Sequence, residues 1–225
     1  MRLRSGGLLL TCAVLLLALV VAQPASARRH TCKMIQSKTV VNTRTTRIFV
    51  RYFDERGRLI ASPVDHSSIY VYVCRHDIGH RLILAAGDGA GDYPYRVAVT
   101  GDQVAMAFGS GFEGCKGDTL IKVFNARTAH QERCAGTTAN AAPFGVWSLK
   151  VTARGSAAWI EQIGGAVEEP DSKDNPPDAF AVRVLSGRRA RTLASDRSVR
   201  RTSLRLHGHT LSWRQRGRTR SARIP

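Results

Sequence analysis

Three stretches far apart in the chain carry one pattern: RVAVTGDQVAMAF at 96–108, SLKVTARGSAAWI at 148–160 and SLRLHGHTLSW at 203–213. In each, two apolar residues (Val97 and Val99, Leu149 and Val151, Leu204 and Leu206) alternate with polar or small ones. That is the period of a β-strand. A short turn follows, Gly101-Asp102-Gln103, Ala153-Arg154-Gly155 or Gly208-His209-Thr210, and then a second apolar run. The sequence predicts one tight hairpin written three times. A repeat of this kind constrains a fold more than any local preference, because each copy must bury its apolar face against a neighbouring copy.

A second phrase follows the first two copies. TLIKVFNARTAHQERC (119–134) and AFAVRVLSGRRARTLA (179–194) each read as strand, tight turn, strand, and IYVYVCRHDIGHRLILA (69–85) has the same form. Their turn residues Gly79, Ala129 and Gly187 are separated by 50 and 58 residues, the longer interval holding the insertion GGAVEEPDSKDNPPD at 164–178. TVVNTRTTRIFVRY (39–52) supplies a looser hairpin ahead of the first. Helical periodicity is not sustained anywhere after residue 27. The expected fold is all-β, built from repeated four-stranded antiparallel meanders at about 38–86, 95–136, 147–194 and 200–225. The last unit has two strands and a candidate third in TRSARI.

Four-stranded units of about 50 residues are the size of propeller blades. In this pattern the chain resembles the β-propeller repeat superfamily, in the style of TolB-like or WD40-like blades, and is most similar to uncharacterised secreted bacterial propeller-like proteins. The resemblance covers about 38–225 and implies a small, about four-bladed propeller or an open propeller-like stack. It lacks the Gly-His and Trp-Asp marks of WD40 blades and implies a fold, not an activity.

Blades pack through both faces. Val104, Met106 and Phe108 oppose Ala105 and Ala107 in the second unit, and Ile69, Val71 and Val73 oppose Tyr70, Tyr72 and Cys74 in the first. The last unit departs from this. Leu204, Leu206, Leu211 and Trp213 make one apolar face, whereas Arg205, His207, Ser212, Arg214 and Arg216 occupy the other, which cannot be buried without partners for its charges. Either the stack is open, or residues around Cys32–Gln36 complete the last blade and the arginines reach the rim.

Residues 1–27 read as a cleaved signal peptide, with Arg2 and Arg4, the apolar run LLLTCAVLLLALVVA (8–22) and Ala25-Ser26-Ala27 before the cut. The run has 15 residues, short of the roughly 20 that a membrane anchor usually needs. The mature product, 28–225, is expected to be secreted, extracellular or cell-envelope associated, with no membrane span after cleavage. Its four cysteines, Cys32, Cys74, Cys115 and Cys134, are then read as disulfides. Of three connectivities, Cys32–Cys74 with Cys115–Cys134 is favoured, because the second pair brackets a hairpin and the first ties down the N-terminal tail. The spacings are too wide for a zinc site.

The mature chain has 32 basic against 17 acidic residues, and 183–225 alone holds 13 arginines with one acid, Asp196. The candidate anion-binding residues are Arg188, Arg189, Arg191, Arg200, Arg201, Arg205, Arg214, Arg216, Arg218 and Arg220. Clustered guanidinium groups neutralise polyanions and pair bidentately with phosphate or carboxylate. A compositional arginine bias, 28 Arg to 6 Lys, reads equally as a solvated face. Trp213 is the only aromatic residue in this stretch, too few for the stacking platforms of specific nucleic-acid recognition.

Other candidates are weaker. His207 and His209 lack a third metal donor, His76 and His80 flank a turn, and Glu168, Glu169, Asp171, Asp174 and Asp178 lack calcium-loop spacing. GSGFEGCKGD (109–118) precedes a strand, unlike a phosphate-cradling loop. No catalytic or cofactor-binding residue is identified. The leading expectation is a secreted, non-catalytic module that binds an anionic polymer or a protein partner. The alternatives are an enzyme acting on polysaccharide in a propeller cleft, with Asp118, Glu132 or Glu161 as acids, and a structural module that assembles with a partner.

Overall fold

The computed structural model describes residues 32–64, 67–88, 94–108, 120–136, 145–163 and 179–225. Among them every regular element is a strand. The first sheet runs β1 (Lys38–Asn42), β2 (Thr46–Phe53), β4 (Ser68–Arg75), β5 (Arg81–Asp88), with the short β3 (Leu59–Ile60) beside β2. The second is β6 (Arg96–Thr100), β7 (Gln103–Phe108), β8 (Leu120–Asn125), β9 (Gln131–Gly136). The third is β10 (Val146–Val151), β11 (Ala157–Ile163), β12 (Ala179–Ser186), β13 (Arg189–Asp196), and the fourth β14 (Arg205–His207), β15 (Thr210–Gln215), β16 (Arg218–Arg223). All four are antiparallel meanders in chain order, and the hairpins of the three echoed stretches are β6–β7, β10–β11 and β14–β15.

Strand alternation assigns each face to a different neighbour. Val104, Met106 and Phe108 pack with Ile48, Val50, Ile69, Val71 and Val73 of the first sheet. Ala105 and Ala107 point the other way, against Leu149, Ala157 and Trp159 of the third. Ala158, Ile160, Val182 and Val184, on the reverse of the third sheet, pack with Leu204, Leu211, Trp213 and Ile224 of the last. Three cores therefore separate four sheets, and the second and third sheets are buried on both faces. The small Ala105, Ala107, Ala157 and Ala158 let the sheets approach across these layers.

Polar ties lock the stack. Arg75, at the end of β4, bridges Asp77 (2.8 Å) and Asp102, and Arg127 reaches Asp102 (2.7 Å), so two turns of the second sheet grip the β4–β5 turn of the first. The hydrogen bond from Arg75 comes first in holding the Asp77 carboxyl down to about 2. At the other end, Ser156 Oγ donates to the Pro225 carbonyl at 2.9 Å and fastens the C-terminus to the third sheet.

Cys32 and Cys74 are bonded, across a separation of 42 residues. Cys134 is also disulfide-bonded, while its expected partner Cys115 lies outside the described residues. So do the segment 1–27, the loop 109–118, which contains Asp118, and the acidic insertion 164–178.

Two expectations about the end blades need correction. The first sheet buries Ile69, Val71 and Val73 but leaves Tyr70 and Tyr72 half-exposed, because no described sheet packs on that face. Residues 32–37 form no strand and do not complete the last sheet, which keeps three. Instead Cys32 and Met34 cover Phe49 and Cys74 on the outside of the first sheet. The disulfide dictates this, since it anchors Cys32 to β4.

Candidate functional site: an arginine-lined cleft on the last sheet

The strand β15, TLSWRQ, sends Leu211 and Trp213 into the core and Thr210, Ser212 and Arg214 outward. Antiparallel register then builds rows across the outer face. Arg205 and Ser221 flank Ser212, His207 and Arg223 flank Thr210, and Thr219 lies beside Arg214. Side chains opposed in this way stand close enough to act together, with Cβ atoms about 5 Å apart. The face thus carries three exposed arginines and a series of hydroxyls, without an acid in any row.

A cleft of about 390 Å³ opens beside it, lined by Arg200, Thr202, Ser203, Arg205, Ser212, Trp213, Arg214 and Thr219. Ser203 sets its wall: its hydroxyl donates to the Arg200 carbonyl at 2.7 Å and accepts from the Arg214 N–H at 2.9 Å. The Arg200 N–H donates in turn to the Arg214 carbonyl at 2.9 Å, so the backbone bearing Arg200 and Arg214 is held together. Guanidinium forks on a fixed backbone lose less freedom on pairing with an oxyanion than flexible ammonium groups do. Several arginines side by side, with hydroxyl donors between them, suit a chain of anionic groups.

The ten arginines singled out in the sequence are not one cluster. Arg200, Arg205 and Arg214 converge on the cleft. Arg216 is engaged by Asp196 at 2.9 Å. The Ser198 N–H and then Arg216 hold that carboxyl down to about 2. Arg201 lies over the Trp147 ring, 4.2 Å from its centroid. Arg188, Arg189 and Arg191 are exposed on the β12–β13 hairpin of the third sheet. Arg218 and Arg220 are exposed on the edge strand β16, with Arg220 opposite Trp213 and hence on the reverse side from Arg214. Sequence reasoning missed Arg223 and the hydroxyl rows. The alternation of RTRSAR against TLSWRQ was the signal that carried them.

The candidate acids sit elsewhere. Glu161 is buried, accepts the Trp159 indole N–H at 2.6 Å and lies 2.6 Å from Arg183 Nε. Burial pushes its carboxyl up, against the pull of Trp159 and Arg183. Glu132 accepts from Gln103 and Asn125 at 3.3 Å each. A hydrolytic pair would need two carboxylates across one pocket; the described partners of these acids are donors instead. His207 is exposed, His209 half-exposed at the adjoining turn, and no group of three or more potential metal donors gathers among the described residues. No protein-family model matches the chain, and no curated protein matches it.

Proposed function

We propose that this chain is an exported, propeller-like stack of four blades that binds an anionic polymer through the Arg200, Arg205 and Arg214 cleft and the adjoining outer face of the last sheet. The observation that carries the reading is the acid-free row structure around Arg205, Arg214 and Arg223, beside a cleft with fixed walls. The blade reading is supported by meanders in chain order and by the succession of cores between neighbouring sheets. Export is supported by the disulfide Cys32–Cys74, which persists in oxidising compartments, and by the signal-like pattern of 1–27.

The test is retention of residues 28–225 on an anionic matrix across a salt gradient. Two triple variants run beside it, Arg205→Ser/Arg214→Ser/Arg223→Ser and Arg188→Ser/Arg189→Ser/Arg191→Ser, which remove equal charge from different places. Retention should persist above about 0.15 M salt, where loosely held surface charges are screened. The first variant should lose it and the second keep it. Equal loss in both would reduce the effect to net charge and overturn the site.

A further inference from the structure

We propose that the outer face of the first sheet is a second binding surface, a shelf for the pyranose rings of an acidic polysaccharide, which makes the anionic polymer a uronic-acid glycan. The inference rests on the polyanion reading above and supplies its chemical class.

This face alternates with the core. As Ile48, Val50 and Tyr52 turn inward, Arg47, Phe49, Arg51 and Phe53 turn outward, joined on β4 by Tyr70 and Tyr72. The segment at Cys32 and Met34 covers only the Phe49 end. Phe53, Tyr70 and Tyr72 remain half-exposed around an open groove of about 370 Å³, with Asp54, Glu55 and Ser68 at its rim. Phe53 and Tyr70 meet edge to face at 5.3 Å, and Tyr70 and Tyr72 are tilted by 36° at 6.4 Å. The shelf is therefore stepped.

Arg47 is satisfied by the Cys32 carbonyl, Ser37 and Thr39. Arg51 is not. It stands in register with Tyr70 with its guanidinium 5.2 Å from the Phe53 centroid, and its buried Nε has no hydrogen-bond acceptor among the described residues. The Arg51 side chain as a whole is half-exposed, and a half-exposed guanidinium short of an acceptor favours a carboxylate brought alongside it.

A ligand for this surface must bring an apolar ring face, hydroxyls and a negative charge. A uronate pyranose has all three. Its C–H groups meet the electron-rich aromatic faces, its hydroxyls find Glu55, Ser68 and the tyrosine hydroxyls, and its carboxylate finds Arg51, which flanks the groove beside Tyr70 and Phe53. A second copy of this chain docked head to tail fits poorly, since the last sheet would bring Arg205 and Arg214 against Arg47 and Arg51. Nucleic acid fits less well than a glycan. Stepped rings offer no common stacking plane for successive bases.

The experiment measures affinity for polygalacturonate (rings with charge), its methyl ester (rings without charge), polyphosphate (charge without rings) and oligothymidylate. The variants are Tyr70→Ala, Tyr70→Phe and Arg51→Met. Tyr70→Ala should weaken polygalacturonate binding about ten-fold, the scale of one lost ring contact, and leave polyphosphate unchanged. Tyr70→Phe should retain binding, and Arg51→Met should weaken the acid far more than its ester. Polygalacturonate and polyphosphate bound alike, and alike insensitive to Tyr70, would overturn the shelf while leaving the arginine cleft standing. Tyr70-dependent binding of oligothymidylate in preference to polygalacturonate would overturn it in favour of nucleic acid. Ester binding that depends on Tyr70, with no response of any polyanion to Arg205→Ser/Arg214→Ser, would keep the shelf and remove the cleft.

Discussion

Glu161 shows what a single charged residue does between two sheets. On β11 it shares a face with Ala157 and Trp159, in the layer between the second and third sheets, and it meets Arg183 across the strand pair. Its carboxylate is the acceptor for the Trp159 indole and the counter-charge for a largely buried guanidinium. Glu161→Ala takes the acceptor from the Trp159 indole and a counter-charge from Arg183, and should cost about 3 kcal/mol in urea denaturation. Glu161→Gln keeps an acceptor for the indole and should cost less. The two should also differ from wild type in pH dependence. The folded-state value of Glu161 lies above its ordinary 4.5, so between those values the folded state binds more protons than the unfolded state. Its contribution to stability therefore falls as pH rises above its ordinary value towards the raised one, and Glu161→Gln should flatten this part of the profile.

At the scale of elements, the β10–β11 turn packs closely against the second sheet. Gly155 has φ +78°, and a Cβ there would come within 2.6 Å of Arg133 Nη1 and 2.8 Å of Gln103 Oε1. Arg133 Nη1 also donates to the Arg154 carbonyl at 3.0 Å, so it cannot withdraw without losing a bond across the sheets. Gly101, on the equivalent turn of β6–β7, has φ +59° and open space around it. Both Ala substitutions incur left-handed strain, about 1 kcal/mol, but Gly155→Ala adds crowding and should cost about 2–3 kcal/mol. Denaturant midpoints of the two variants test this directly, and equal losses would remove the crowding argument. The Cys32–Cys74 bridge acts on a different element, tying the tail to β4. For a 42-residue separation, loop closure puts its contribution at about 4 kcal/mol, so Cys32→Ala/Cys74→Ala should melt well below the parent.

For the whole molecule, burial follows position in the stack. β7 is buried at all six positions, and β11 at six of seven, because each lies in a sheet with neighbours on both faces. β16 is exposed at five of six. Hydrogen exchange should therefore be slowest for amides of β7 and β11 and fastest along β16, the last sheet opening before the centre. Uniform protection across all four sheets would show instead that the stack opens only as one unit. The two end faces also oppose end-to-end stacking of copies. Each carries arginines where a middle sheet carries Val, Ile or Ala, so contact between ends brings like charges into a dry layer.

The period-two runs of 96–108, 148–160 and 203–213 were sufficient to specify the hairpins, and the two apolar faces of Val104–Phe108 already marked a central strand. These features are legible because side-chain direction alternates with chain position alone. The tyrosines of β4 carried the same apolar signal as β7, yet only burial by a neighbouring sheet separates a core residue from a surface one, and among the described residues the first sheet has no such neighbour on that side. The arginines divided likewise: Asp196 claimed Arg216, Trp147 claimed Arg201, and the register of β14, β15 and β16 brought Arg205, Arg214 and Arg223 to one face. Strand periodicity is a property of adjacent residues, and so the sequence by itself determined the strands and which side chains share a face. Which faces meet depends on residues brought together from distant parts of the chain, and only the tertiary structure decided that.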